Sequence, residues 1–117
     1  MSIESDRAIE WIETLASNDY RRGTSKLKQG GGYCCLGVAQ DMFNLEGNEL
    51  KEYLTPEAAE TLGLKGPGAQ MAIADINDMG PPKAGFEDVV KELLSNTEFY
   101  FKEGVAQDIQ EHFWGNK

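Results

Sequence analysis

Four cations, Arg21, Arg22, Lys26 and Lys28, fall between Tyr20 and Tyr33 with no acidic residue among them. The formal charge of the chain is −9, so this window carries +4 and the remainder −13. The cations lead into Gly30, Gly31 and Gly32 and then Tyr33. Glycines leave backbone N–H groups open, arginine holds phosphate through two parallel hydrogen bonds, and a tyrosine ring offers a stacking face. A helix beginning near Leu36 or Gly37 would add the partial positive charge of its N-terminus. Residues 20–33 are therefore a candidate loop for a small anionic, nucleotide-like ligand. The run is not a phosphate-binding P-loop, since Lys28 precedes the glycines and no Gly-Lys-Ser/Thr follows. The ordinary structural reading is a hairpin tip whose cations balance acidic neighbours.

A second candidate site is polar: Asp41, Asn77 and Asp78, with the adjacent thiols Cys34 and Cys35. These residues converge if a hairpin packs against the helix that Gly80 ends. The structural alternative is that Asn77-Asp78 caps that helix and Gly80 supplies a positive φ. His112 is the only histidine, so Cys-His or Ser-His-Asp chemistry has to use it, and nothing near it in sequence supports that pairing. Two adjacent cysteines and one histidine fall short of a zinc set, and the spacing of Asp75, Asn77 and Asp78 is out of register for a calcium loop. Carboxylate pairs such as Glu10/Glu13 and Glu57/Glu60 sit at helical spacing and read as solvated faces. No catalytic residue, metal or cofactor is assigned.

The elements that must position these residues follow from periodicity. Ser5 to Ser17 reads as an amphipathic helix with Ile9, Ile12 and Leu15 inward and Ser5 as N-cap. Thr24 to Lys28 reads as a short strand, the glycines as the turn, and Tyr33-Cys34-Cys35 as the returning strand. Helical spacing then runs from Leu36 to about Asn44. Thr55-Pro56 starts a helix closed by Gly63, Ala69–Met79 forms another, stopped at Gly80-Pro81-Pro82, and Phe86–Leu94 and Gly104–Trp114 form two more. Glu98–Phe101 is expected to be a strand or extended edge. The expected fold is α+β, mainly α: about five helices packed with a small β-hairpin, in one domain over residues 1–117.

An acidic chain of this size disfavours direct contact with nucleic acid or anionic membrane, because its summed field repels polyanions. The same field suits a basic protein surface, or mimicry of DNA. No apolar leader and no apolar run of about 20 residues is present, so a cytoplasmic protein is expected. Adjacent cysteines in a reducing compartment read as buried thiols.

Several segments, taken together, resemble a group of small uncharacterised proteins encoded by tailed phages and prophages. They are Trp11-x3-Leu15, Tyr20 with Gln29-Gly30, Tyr33-Cys34-Cys35-Leu36-Gly37-Val38 with Asp41, Leu54-Thr55-Pro56-Glu57 with Leu62-Gly63-Leu64, and Ile76-Asn77-Asp78-x-Gly80 followed by Phe86. Asn18-Asp19-Tyr20 and Met79-Gly80-Pro81-Pro82 depart from the turns of that group, and the helix after Leu94 is not associated with it. The resemblance implies a phage accessory protein in the host cytoplasm and implies no chemistry. The leading expectation is a non-enzymatic protein that binds a host protein. The alternative is a binder of a small anionic ligand through the basic glycine-rich loop 20–33.

Overall fold

The computed structural model describes residues 2–17, 19–23, 26–29, 31–49, 51–79 and 85–115. In chain order these form α1 (Ile3–Ser17), β1 (Lys28–Gln29), β2 (Gly32–Tyr33), α2 (Cys35–Phe43), α3 (Pro56–Glu60), α4 (Pro67–Asp78), α5 (Glu87–Ser95), α6 (Thr97–Tyr100) and α7 (Glu103–Trp114). Mainly helical architecture with one small hairpin is thus the observed fold class.

α1 buries Ala8, Ile9, Trp11, Ile12 and Leu15, as the three- and four-residue spacing requires. Its N-cap differs from the expectation. Ser5 lies inside the helix, and its N–H donates to the Ser2 hydroxyl at 3.0 Å, so Ser2 satisfies the open helix end. Ser5 is fully buried, and its hydroxyl donates instead to Asp108 of α7 at 2.6 Å. Glu4 and Lys102, then Glu13 and His112, pair in the same order along α1 and around α7, so the two helices run in the same general direction.

The hairpin is shorter than its sequence pattern. Lys28 pairs with Tyr33 and Gln29 with Gly32, and Cys34 already leaves the strand to cap α2. Cys35, expected in the strand, is the first helical residue. The reason is local: Cys34 Sγ accepts from the Gly37 N–H at 3.4 Å, which takes up one of the unpaired donors at the start of α2. Thr24, Ser25 and Gly30 lie outside the described residues, as do Asn18 and the stop at Gly80-Pro81-Pro82.

α3 starts as expected, with Thr55 Oγ1 accepting from Ala58 N–H and Pro56 in the first turn. Gly63 closes this segment with a φ of +75°. α4 begins at Pro67, two residues ahead of the expected Ala69. Glu98–Phe101 is a correction: Thr97 to Tyr100 is one helical turn, and only Phe101 is extended, bridged to Leu64. Thr97, Tyr100 and Phe101 are buried while Glu98 and Phe99 are exposed, a pattern that one helical turn produces and an alternating strand does not.

One core joins these elements. Trp11, Phe86, Tyr100 and Phe101 are its largest buried side chains, with Trp11 edge-on to Phe101 at 6.3 Å. The Trp11 indole N–H donates to the Cys35 carbonyl at 2.8 Å, so α1 and α2 are tied by a hydrogen bond inside the apolar layer.

Candidate functional site

The segments that sequence singled out meet under the hairpin, around Asn77. This side chain is 1% exposed and sits in the last turn of α4. Its Oδ1 accepts from the Cys35 N–H at 3.1 Å, and its Nδ2 donates to the Gly23 carbonyl at 2.9 Å and to Asp78 Oδ1 at 3.1 Å. One amide therefore joins α4 to the start of α2 and to the arm that precedes the hairpin. Buried backbone groups need such partners, because leaving one unpaired costs about 1–3 kcal/mol.

Arg22 completes the same strut. Its side chain is 3% exposed and grips Asp88 of α5 through both terminal nitrogens, at 2.6 and 3.1 Å. The same nitrogens donate to the carbonyls of Gly85 at 2.8 Å and Asn77 at 2.6 Å. The guanidinium lies 5.7 Å from the centroid of the buried Phe86 ring. The expected place of Arg22 is facing a ligand beside Arg21; it faces inward, because carbonyls at the end of α4 and a carboxylate at the start of α5 together match its planar fork.

The start of α2 is likewise committed. Cys35 N–H is held by Asn77, Gly37 N–H by Cys34, and the Leu27 carbonyl closes over Gly37. A Cβ on Gly37 would stand 1.7 Å from that carbonyl oxygen. The expected contribution of this helix end to an anion site is therefore not realised, since Cys35 to Ala39 are all buried.

The thiols are core groups. Cys34 is 4% and Cys35 0% exposed. Burial pushes the Cys34 thiol up from 9.0 to about 11, and burial also raises Cys35 well above 9.0. Neither supplies a thiolate near neutral pH. Asp41 stands apart from the strut on the outer face of α2, where it accepts from the Tyr20 hydroxyl at 2.6 Å. That bond, first of all, raises the Tyr20 phenol to about 12. Asn77, Asp78 and Cys35 are thus brought together, while Asp41 serves Tyr20.

The remaining loop residues divide between surface and frame. Arg21, Lys26 and Lys28 are exposed. Lys28 Nζ lies 5.3 Å from the centroid of the Tyr33 ring, and Tyr20 meets Tyr33 edge-on at 5.0 Å. The backbone of Tyr33 pairs on both sides, with Lys28 and with Arg21 and Gly23. Gly32 is buried against Arg22 and Gly23, whereas Gly31 is exposed with a φ of +83° and open space beside it. Gly30 lies outside the described residues. His112 sits on the surface of α7, 3.0 Å from Glu13.

Sequence reasoning missed three things. The Gln70 amide is buried and pairs with both backbone groups of Leu54, at 2.9 and 3.1 Å. The Arg22–Asp88 clamp spans 66 positions of chain. A cleft beside β1 is lined by Lys51 as well as Lys28. Only the clamp had a local signal, two adjacent arginines of which an extended segment can expose just one.

Among the described residues no group of three or more His, Cys, Asp or Glu side chains could hold a metal ion, and no helix is long and apolar enough to cross a membrane. A family model described as a domain of unknown function (DUF8296) matches residues 6–62. The first part of this chain is similar to an uncharacterised family. That match covers α1 from Asp6 onward, the hairpin, α2 and α3, and it ends before Asn77 and Asp88. No curated protein and no solved structure matches the chain.

Proposed function

We propose that this protein acts by binding rather than by catalysis, as a small phage accessory protein in the host cytoplasm whose partner is a host protein. The observation that carries this reading is the orientation of its chemistry-bearing side chains. Arg22, Asn77, Gln70 and both cysteines point into the fold and hold main-chain groups or core. Most acidic side chains, by contrast, face outward.

A groove of about 400 Å³ between α1 and α3 fits a cationic segment of such a partner. Ile3, 71% exposed, lies beside Glu4, Glu57, Glu60 and Arg7. Apolar contact next to carboxylates suits a lysine- or arginine-bearing segment with one apolar anchor. Affinity capture of the tagged protein from host cells should retain a basic protein that elutes as salt rises. The Glu57→Lys/Glu60→Lys variant should lose it. Capture that is indifferent to both salt and that variant, or no capture, would count against the reading.

The basic loop supports a second reading, a small anionic ligand held by residues 20–33. Arg21, Lys26 and Lys28 stay at the surface of an acidic protein, where an anion can reach them, with Lys28 resting on the Tyr33 ring. Arg22 contributes by shaping the arm and not by contact.

A further inference from the structure

The cleft between β1 and the loop after α2 has the composition of an oxyanion site. About 360 Å³ in volume, it is lined by Leu27, Lys28, Gln40, Gly47, Asn48 and Lys51. Two of these side chains are ammonium groups and two are carboxamides, and none is a carboxylate. On a chain with twenty acidic and eleven basic residues, that selection is against composition. Glu46, Glu49 and Glu52 belong to the same loop but do not line the cleft.

The walls are built. Leu27, 1% exposed, forms an apolar floor, and its N–H donates to the Lys51 carbonyl at 2.8 Å, which locks the loop to the hairpin arm. Lys51 holds a left-handed φ of +58°, uncommon for a lysine. Asn48 Oδ1 accepts from the N–H groups of Glu52 and Tyr53, so the turn fixes the amide and leaves its N–H₂ group as a donor. Gly47 keeps the space open: a Cβ there would stand 2.7 Å from Leu27 Cδ1 and 3.0 Å from Gln40 Nε2. Among the described residues neither lysine has a carboxylate within salt-bridge distance, and the Gln40 side chain makes no hydrogen bond.

We infer that this cleft binds the phosphate group of a small phosphate monoester, held between the Lys28 and Lys51 ammonium groups with Asn48 and Gln40 as neutral donors. The inference rests on the anion-binding reading and moves its centre. The ligand lies beside β1, on the side of Lys28, and not on the glycine tip. Ammonium and carboxamide N–H groups are all donors to phosphate oxygens, and the volume suits a ligand the size of a phosphorylated sugar or nucleoside.

The test is a titration of the full chain, followed by backbone amide shifts, with inorganic phosphate and with adenosine monophosphate as probes. Shifts are expected at Leu27, Gly47, Asn48 and Lys51. The Lys28→Gln/Lys51→Gln variant should bind about tenfold or more weakly while keeping the parent spectrum elsewhere. If instead Arg21→Gln/Lys26→Gln abolishes binding and Lys28→Gln/Lys51→Gln does not, the cleft assignment is overturned and the outer loop is the site. If neither probe shifts any amide of the parent at millimolar concentration, both the cleft and the anion-binding reading fall. Binding of inorganic phosphate with equal strength to the monoester would identify a free-phosphate site in the same cleft, and so overturn the monoester assignment alone.

Discussion

Asn77 shows why a polar residue in a sequence motif need not be a reactive one. Its amide has one acceptor and two donors, and all three are matched within a buried setting by Cys35, Gly23 and Asp78. Asn77→Ala removes the acceptor of a buried N–H and the donor to a carbonyl without filling the space. The expected cost is about 2–4 kcal/mol, read as a lower urea midpoint with unchanged slope. A variant as stable as the parent would mean that water replaces the amide. Arg22 follows the same logic with higher stakes, because truncating it removes the donor to the Gly85 and Asn77 carbonyls and one side of the Asp88 clamp together, and should cost at least as much as Asn77→Ala. For that reason a double alanine variant at Arg21 and Arg22 reports on folding before it reports on ligand.

The cysteines make a second prediction at this scale. Both should resist iodoacetamide in the native protein at about pH 8 and react in denaturant, since burial and not only thiol acidity protects them. The folded protein keeps the Cys34 proton up to about 11, whereas the unfolded chain loses it near 9.0. Between those values the native state binds more protons, so stability is complete below 9.0 and falls as pH rises towards 11. Cys34→Ala should flatten that fall in urea titrations across the same window; an unaltered slope would assign it to other groups, Tyr20 among them.

At the scale of elements, close approach decides more than propensity does. α2 starts under the hairpin arm, with the Leu27 carbonyl filling the place of a Gly37 side chain. Gly37→Ala must push the arm away and should cost at least about 1–3 kcal/mol, the cost of overpacking a core. Gly68, in the first turn of α4, has no atom within 4 Å of the place a Cβ would take. Gly68→Ala should stabilise by about 0.4–1 kcal/mol, since alanine narrows the unfolded ensemble and suits a helix. Opposite signs for the two glycine substitutions, read from thermal midpoints, would confirm that packing and not helix propensity sets the tolerance. Equal signs would contradict it. The one-turn helix α6 belongs to the same argument: Glu98–Phe101 is rich in strand-forming residues, yet its turn is set by burying Thr97 and Tyr100 against neighbouring helices.

For the molecule as a whole, the region that matches a known family is not a self-contained unit. Residues 6–62 supply Trp11, Cys35 and Leu54, but Phe101 packs on Trp11, Asn77 holds Cys35, and Gln70 holds Leu54. Arg22 in the matched part is neutralised by Asp88 outside it. A fragment of residues 6–62 should therefore show no cooperative thermal transition by circular dichroism, while the full chain melts in one step. A folded fragment would show that the strut is dispensable.

How much could be read beforehand differs by the range of the interaction. Thr55-Pro56 as a helix start, the inward face of α1 and the buried thiols were legible, because caps, periodicity and local composition act within a few residues. Mainly helical architecture with one hairpin followed from the same short-range signals. The candidate loop was legible only as a run of charge. Which of its arginines faces outward depended on carbonyls and a carboxylate more than fifty positions away, brought beside Arg22 by the packing of α4 and α5. The cleft at Lys28 and Lys51 was set in the same way, by a hydrogen bond from Leu27 to Lys51 across the intervening helix α2. Sequence by itself determined the charge and the helical faces, since each is a property of neighbouring residues. Tertiary structure alone decided which polar groups are buried and which stay exposed, because that choice is made where distant backbone groups must find partners.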